Sequence, residues 1–171
     1  MKINFTGFLK KRNLLLFLII LIGSYLRLTG VFTNSFAFTY DVGRDMLALW
    51  SIVHTHKLIL VGFTTGLPGV FYGPWWYYLL LLPYILSSGN PQGMALTMAI
   101  VGIATIIFGF FLGKRIEGDF LGISLASLIA VSPTLVSSQI WNPDIVPIFL
   151  VLSLLVLHKL ESVTDSKLSL L

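Results

Sequence analysis

Met94-Ala95-Leu96-Thr97-Met98-Ala99-Ile100-Val101-Gly102-Ile103-Ala104-Thr105-Ile106-Ile107-Phe108-Gly109-Phe110-Phe111-Leu112 runs for nineteen residues without a charge. An α-helix rises about 1.5 Å per residue, so this run is long enough to cross a hydrocarbon core of about 30 Å. Its neighbours repeat the pattern, with apolar segments near 14–32, 75–88, 120–138 and 145–160. The chain of 171 residues is 56% hydrophobic and only 11% charged, more apolar than a soluble core of this size requires. The expected fold class is all-α, a polytopic bundle of membrane helices.

The charges say how such a bundle would sit. The net charge of +4 lies in flanks and loops and forms no basic patch, which points to membrane orientation and away from nucleic acid. Cysteine is absent, which excludes disulfides, thiolate metal sites and thiol nucleophiles. Lys10-Lys11-Arg12 ahead of an apolar run has the look of a signal peptide. No small-x-small cleavage site follows Leu14–Leu26, so an uncleaved first span is expected. Arg27, near the end of that span, is expected to snorkel towards the headgroups.

Trp75–Leu86 decides the topology. It is about 12 residues long with Pro83 inside, which suits a re-entrant or interfacial helix better than a span. If it does not cross, Lys2, Lys10, Lys11, Arg12, Lys114, Arg115, Lys159 and Lys167 all fall on one side, leaving Arg27, Arg44 and Lys57 on the other. The positive-inside rule favours that arrangement. The expectation is four spans near 14–32, 94–113, 120–138 and 145–160, a cytoplasmic N-terminus, and a long outer loop over 33–93.

That loop has structure of its own. Met46, Leu49, Trp50 and Val53 recur at helical spacing and predict a juxtamembrane helix with one apolar stripe. Gly62, Gly66, Gly69, Gly73, Pro68 and Pro74 mark a turn-rich stretch that matches no phosphate-binding fingerprint. A flexible turn is the safer reading of it. Trp75-Trp76-Tyr77-Tyr78 has the composition of a headgroup belt.

Two acidic clusters fall on the outer side in this topology. In Tyr40-Asp41-Val42-Gly43-Arg44-Asp45, residues 41, 44 and 45 share a helical face, so Asp41 has an arginine and a second acid within reach. A carboxylate at a water–lipid boundary suits deprotonation of a hydroxyl. The plainer reading makes Asp41 merely the cap of the helix, since an acid at the first turn suits the helix dipole. Asp45 is expected to pair with Arg44. Asn142-Pro143-Asp144 spells a helix start, with Asn as cap and Pro in the first turn. It also brings a second acid, able to bind substrate or share a divalent cation, to the side of Asp41. His54 and His56 point to different faces of a helix, so no metal site is expected. No acid or base falls mid-membrane, which argues against a pump or ion carrier.

The order of these elements resembles the N-terminal part of the C-type superfamily of membrane glycosyltransferases. The nearest likeness is to bacterial proteins similar to dolichyl-phosphate-mannose–protein mannosyltransferase and lipid A aminoarabinose transferase. The likeness rests on Tyr40-Asp41-x-Gly43-Arg44-Asp45, on Leu67-Pro68-Gly69-Val70-Phe71-Tyr72-Gly73-Pro74-Trp75-Trp76-Tyr77-Tyr78, on Ser132-Pro133 and on Trp141-Asn142-Pro143-Asp144. It implies an integral protein of a bacterial or archaeal plasma membrane whose donor is a sugar on a polyprenyl phosphate. It implies Asp41 as general base, with Tyr40, Arg44, Asp45, Gly73, Pro74, Asn142 and Asp144 around the substrate. Arg44 would hold the leaving phosphate or orient Asp41. Val42 departs from the many relatives with an acid after the first Asp. Family members also carry further spans and a soluble domain. The chain over 1–171 is therefore expected to be the N-terminal part of such an enzyme, inactive in isolation and partnered by further C-terminal helices and membrane lipids. The competing expectation is a non-catalytic membrane module that binds lipid or partner helices; a small transporter is disfavoured by the absence of an inverted repeat.

Overall fold

The charge-free run forms the middle of helix α4, Pro91–Glu117, in the computed structural model, which describes residues 5–136 and 139–168. Asn90 caps its start by accepting the Gln92 N–H at 2.9 Å, and Pro91 occupies the first turn, where its missing N–H costs nothing. Gly118, at φ +85°, ends it. The other elements are α1 (Phe5–Phe32), α2 (Tyr40–Thr55), α3 (Trp75–Leu86), α5 (Asp119–Val131), α6 (Pro133–Val136), a 3-10 turn (Asn142–Ile145) and α7 (Val146–Leu168).

Three stretches are helical, long and apolar enough to cross a membrane: Lys11–Phe32, Pro91–Glu117 and Asn142–Glu161. They match three of the four expected spans. The fourth, expected as continuous over 120–138, is broken. α5 has 13 residues, and Ser132 turns extended (φ −59°, ψ 120°) because a residue ahead of proline is pushed out of the helical region. A four-residue α6 follows; positions 137 and 138 lie outside the described residues.

The bundle is held by close approach of small residues. A Cβ on Gly113 of α4 would meet the Leu121 backbone at 2.7 Å, and one on Gly122 of α5 the Phe110 carbonyl oxygen at 2.8 Å. Gly109 faces Ile129, and Gly23 of α1 faces Ile106 and Ala130. Gly113 of α4 and Gly122 of α5 thus meet, while Ala130 of α5 faces Gly23 of α1; such small residues let helices touch through their backbones and gain dispersion contacts. Ile19, Ile106, Phe110, Ala126 and Ala130 fill this core.

Two sets of contacts fix the helix directions. Arg12 pairs with Asp119 at 2.8 Å, while Arg27 reaches the far end of α5, so α1 and α5 run parallel and α4 returns between them. Arg12, Lys114 and Asp119 mark one end of the bundle, here the basic end. The opposite end gathers residues 33–90 and the Gln139–Ile145 segment; Gln92 Nε2 donates to the Val31 carbonyl there at 3.0 Å.

Arg27 does not snorkel. It is 1% exposed and donates to the carbonyls of Ile129 (2.8 Å), Ala130 (3.0 Å) and Gly23 (3.0 Å). The last carbonyls of a helix lack partners within it, and α5 ends early. Arg27 supplies the donors.

At the loop end, α3 packs on α4 and α2 on α3, over a second core that includes Val31, Val42, Leu49, Trp76, Tyr77, Leu80, Met94, Ile140 and Ile145. The buried face of α2 is Val42, Asp45, Leu49 and Ile52. The predicted stripe shared only Leu49 with it: Met46 and Val53 are marginal and Trp50 is exposed. The helix is rotated because Asp45 is drawn inward by its partners. Between α2 and α3 the glycine-rich stretch forms a hairpin, more ordered than the flexible turn expected. Gly62 N–H donates to the Tyr72 carbonyl (2.9 Å), Tyr72 to Phe63 (2.9 Å) and Thr65 to Val70 (3.0 Å). Pro68-Gly69, with Gly69 at φ +79°, makes the reversal, closed by Val70 N–H on the Leu67 carbonyl at 3.2 Å, a type II arrangement.

Candidate functional site

The site begins at Thr39, which caps α2: its carbonyl accepts the Gly43 N–H at 3.1 Å, and its Oγ1 makes a long 3.5 Å contact with the Val42 N–H. Asp41 is therefore not the cap. It stands in the first turn with its side chain 42% exposed. Arg44 Nη1 donates to Asp41 Oδ1 at 2.8 Å, while Arg44 Nε and Nη2 donate to Asp45 Oδ1 at 2.9 and 2.8 Å. One guanidinium holds both acids in place, as charge-assisted forks do. Asp41 Oδ2 has no hydrogen-bond partner among the described residues.

Asp45 has a different fate. It is 2% exposed, and its Oδ2 accepts the Trp76 indole N–H at 2.7 Å. Both oxygens are engaged, so it fastens α2 to α3 and does not face a ligand. Burial pushes its carboxyl above the usual carboxylate range, against the pull of the Trp76 and Arg44 hydrogen bonds. Phe63, delivered by the hairpin, lies under Arg44 with the guanidinium carbon 4.1 Å from the ring centroid. Sequence reasoning missed both Trp76 and Phe63. An acid in so apolar a chain needs a donor, but nothing local says which of four tryptophans supplies it.

Asp41 and Val42 line a cavity of about 200 Å³ whose other walls are Ala37, Thr39, Gln139, Ile140 and Trp141. The first acidic cluster and the segment leading to the second thus share a cavity. Val42 and Ile140 also share the loop-end core, at 1% and 2% exposure, which fixes their spacing. An acid at position 42 would be buried in this core. Asp144 does not itself line the cavity. It sits one turn further on, half-buried, with its N–H donated to the Trp141 carbonyl at 3.0 Å. Its Oδ2 is buried with no partner among the described residues, whereas most buried polar atoms are paired. Trp141, not Asn142, takes the cap position of the 3-10 turn; Asn142 is half-buried within it.

The remaining predicted residues are dispersed. Tyr40 is 85% exposed and borders a separate open groove of about 650 Å³ with Phe38, Thr39, Gly43, Arg44 and Leu47. Arg44 lines this groove and also holds Asp41. Gly73 and Pro74 join the hairpin to α3, where the Pro74 carbonyl accepts the Tyr77 N–H at 3.0 Å; neither lines the Asp41 cavity. His54 stacks on Trp50, and the described residues contain no cluster of three or more metal-ligating side chains.

The chain matches no protein-family model, no curated protein and no solved structure.

Proposed function

We propose that this chain is a polyprenyl-phosphate-sugar-dependent membrane glycosyltransferase, or the N-terminal portion of one, working at the outer face of a plasma membrane. Asp41 is its general base. Asp41 Oδ2 takes the proton of an acceptor hydroxyl, and that oxygen attacks the anomeric carbon of the donor. The bond from the anomeric carbon to the phosphate oxygen breaks, polyprenyl phosphate leaves with the electron pair, and the configuration inverts. Arg44, which lines the Tyr40 groove, meets the leaving phosphate or keeps Asp41 in register.

The observation that carries this reading is that Asp41, whose Oδ2 has no hydrogen-bond partner among the described residues, lines a cavity closed by Gln139–Trp141. A base needs an open lone pair beside room for a reactant, and the wall opposite leads directly to Asp144. The Gln139–Ile145 segment lies at the same end of the bundle as Asp41, which supports placing both acidic clusters on one side.

The test is Asp41→Asn in the native gene, with transfer of labelled sugar from polyprenyl-phosphate donors assayed in isolated membranes. A general base is worth roughly 10²- to 10⁴-fold, so transfer falls at least about a hundredfold while insertion is unchanged. Undiminished transfer removes Asp41 from the chemistry. The competing reading, a non-catalytic module, is favoured if no donor supports transfer by the unsubstituted protein.

A further inference from the structure

At the basic end, far from Asp41, a second concavity lies between α1 and α5. It has a volume of about 320 Å³ and is lined by Lys11, Arg12, Leu15, Asp119, Phe120 and Ile123. Leu15 and Phe120 are exposed, Phe120 at 85%, so an apolar channel opens sideways from the bundle. Its head is ionic. Arg12 holds Asp119 at 2.8 Å, and Lys114 reaches the same carboxylate at 3.5 Å. Asp119 is thereby neutralised, and the Arg12 hydrogen bond holds its carboxyl below the usual range. Lys11 and Arg115 are exposed and make no salt bridge among the described residues. Four cations, Lys11, Arg12, Lys114 and Arg115, face two acids, Glu117 and Asp119, an excess of two positive charges at one membrane boundary.

We infer that this groove holds one anionic phospholipid, its acyl chain along Leu15, Phe120 and Ile123 and its phosphate at Lys11 beside the Arg12–Asp119 pair. Charge complementarity selects the headgroup, and the exposed Phe120 requires an apolar cover that water does not give. Each cation near an anionic headgroup is worth about 1 kcal/mol, close to fivefold in affinity. The inference is independent of the glycosyltransferase reading, since no residue is shared.

Phe120→Trp tests it in nanodiscs of phosphatidylcholine. The native tryptophans Trp50, Trp75, Trp76 and Trp141 lie at the other end, so contact quenching by lipids brominated near the headgroup reports the groove. Brominated phosphatidylglycerol quenches the new indole at a lower mole fraction than brominated phosphatidylcholine, and Lys11→Gln shifts that curve about fivefold towards the neutral lipid. Excess inorganic phosphate leaves the curve in place. Equal curves for the two lipids, or displacement by phosphate alone, overturn the proposal. Native mass spectrometry of the unsubstituted chain gives a second measurement: phosphatidylglycerol is retained over phosphatidylcholine as detergent is stripped, and equal loss of both overturns the site.

Discussion

Asp41 and Asp45 are four residues apart, share one arginine, and end in opposite situations. Asp41 lines a cavity and has one oxygen without a partner among the described residues; Asp45 has spent both oxygens on Arg44 and Trp76. Trp76→Phe leaves Asp45 Oδ2 buried without its donor and costs about 1–3 kcal/mol. Thermal unfolding in detergent measures this, and a neutral effect would mean that the indole bond is dispensable. Acid acts on the two ends of the bundle with opposite sign. Burial raises the Asp45 pKa, so the folded state gains stability as pH falls through that raised value towards the ordinary 3.9 or so. The Arg12 hydrogen bond lowers that of Asp119, so its contribution is complete above about pH 4 and is lost as pH falls through the depressed value. Hydrogen exchange followed from neutral pH downwards should show the α2–α3 contact tightening first and the α5 start loosening only below about pH 4. Loosening of both ends together from neutrality would contradict the assignment. The sequence pointed to the Arg44–Asp45 pairing by proximity. Trp76 stayed invisible because its indole comes from 31 residues away.

Among the elements, α5 is the one the hydropathy pattern misread. Its apolar run continues past Val131 in the sequence, but Pro133 stops the helix at thirteen residues, and Arg27 then caps carbonyls that a longer helix would have used itself. Hydropathy sums composition and is blind to the backbone restriction ahead of a proline. The α4–α5 seam is equally specific. Gly113→Ala places a methyl group 2.7 Å from the Leu121 backbone, which cannot swing aside, and is expected to cost about 1–3 kcal/mol. Gly66→Ala, with nothing within 4 Å, is expected to leave the unfolding midpoint nearly unchanged. Comparable shifts for the two variants would mean that the seam is not close-packed. α2 shows the converse error, since a stripe of apolar residues predicts the buried face only when no buried ion pair rotates the helix.

Across the whole molecule, the two ends carry different chemistry. Arg12, Lys114 and Asp119 cluster at one, and Asp41, the hairpin and the Gln139–Ile145 segment at the other. With no native cysteine, single cysteines at Gly118 and Gly66 test this directly. An impermeant thiol reagent added to sealed vesicles should label one and spare the other, and labelling of both from the same side would break the bundle order. Labelling at Gly66 from the exterior would further support the outer placement of Asp41.

The sequence by itself determined the class and the order: helices, three of the four expected long spans, a short amphipathic helix and a turn-rich segment in the first long loop, and an acidic pair beside an arginine. These follow from local quantities, namely hydropathy over a run, helical spacing, and the positions of proline and glycine. Only the tertiary structure decided that Arg27 is a buried cap, that Asp45 is bound by Trp76, and that Asp41 shares a cavity with Gln139–Trp141 while Tyr40, Gly73 and Pro74 stand apart. Those outcomes depend on contacts between residues distant in the chain. They are set by where small residues let helices meet, and by buried polar groups taking whichever partner the packing brings within about 3 Å.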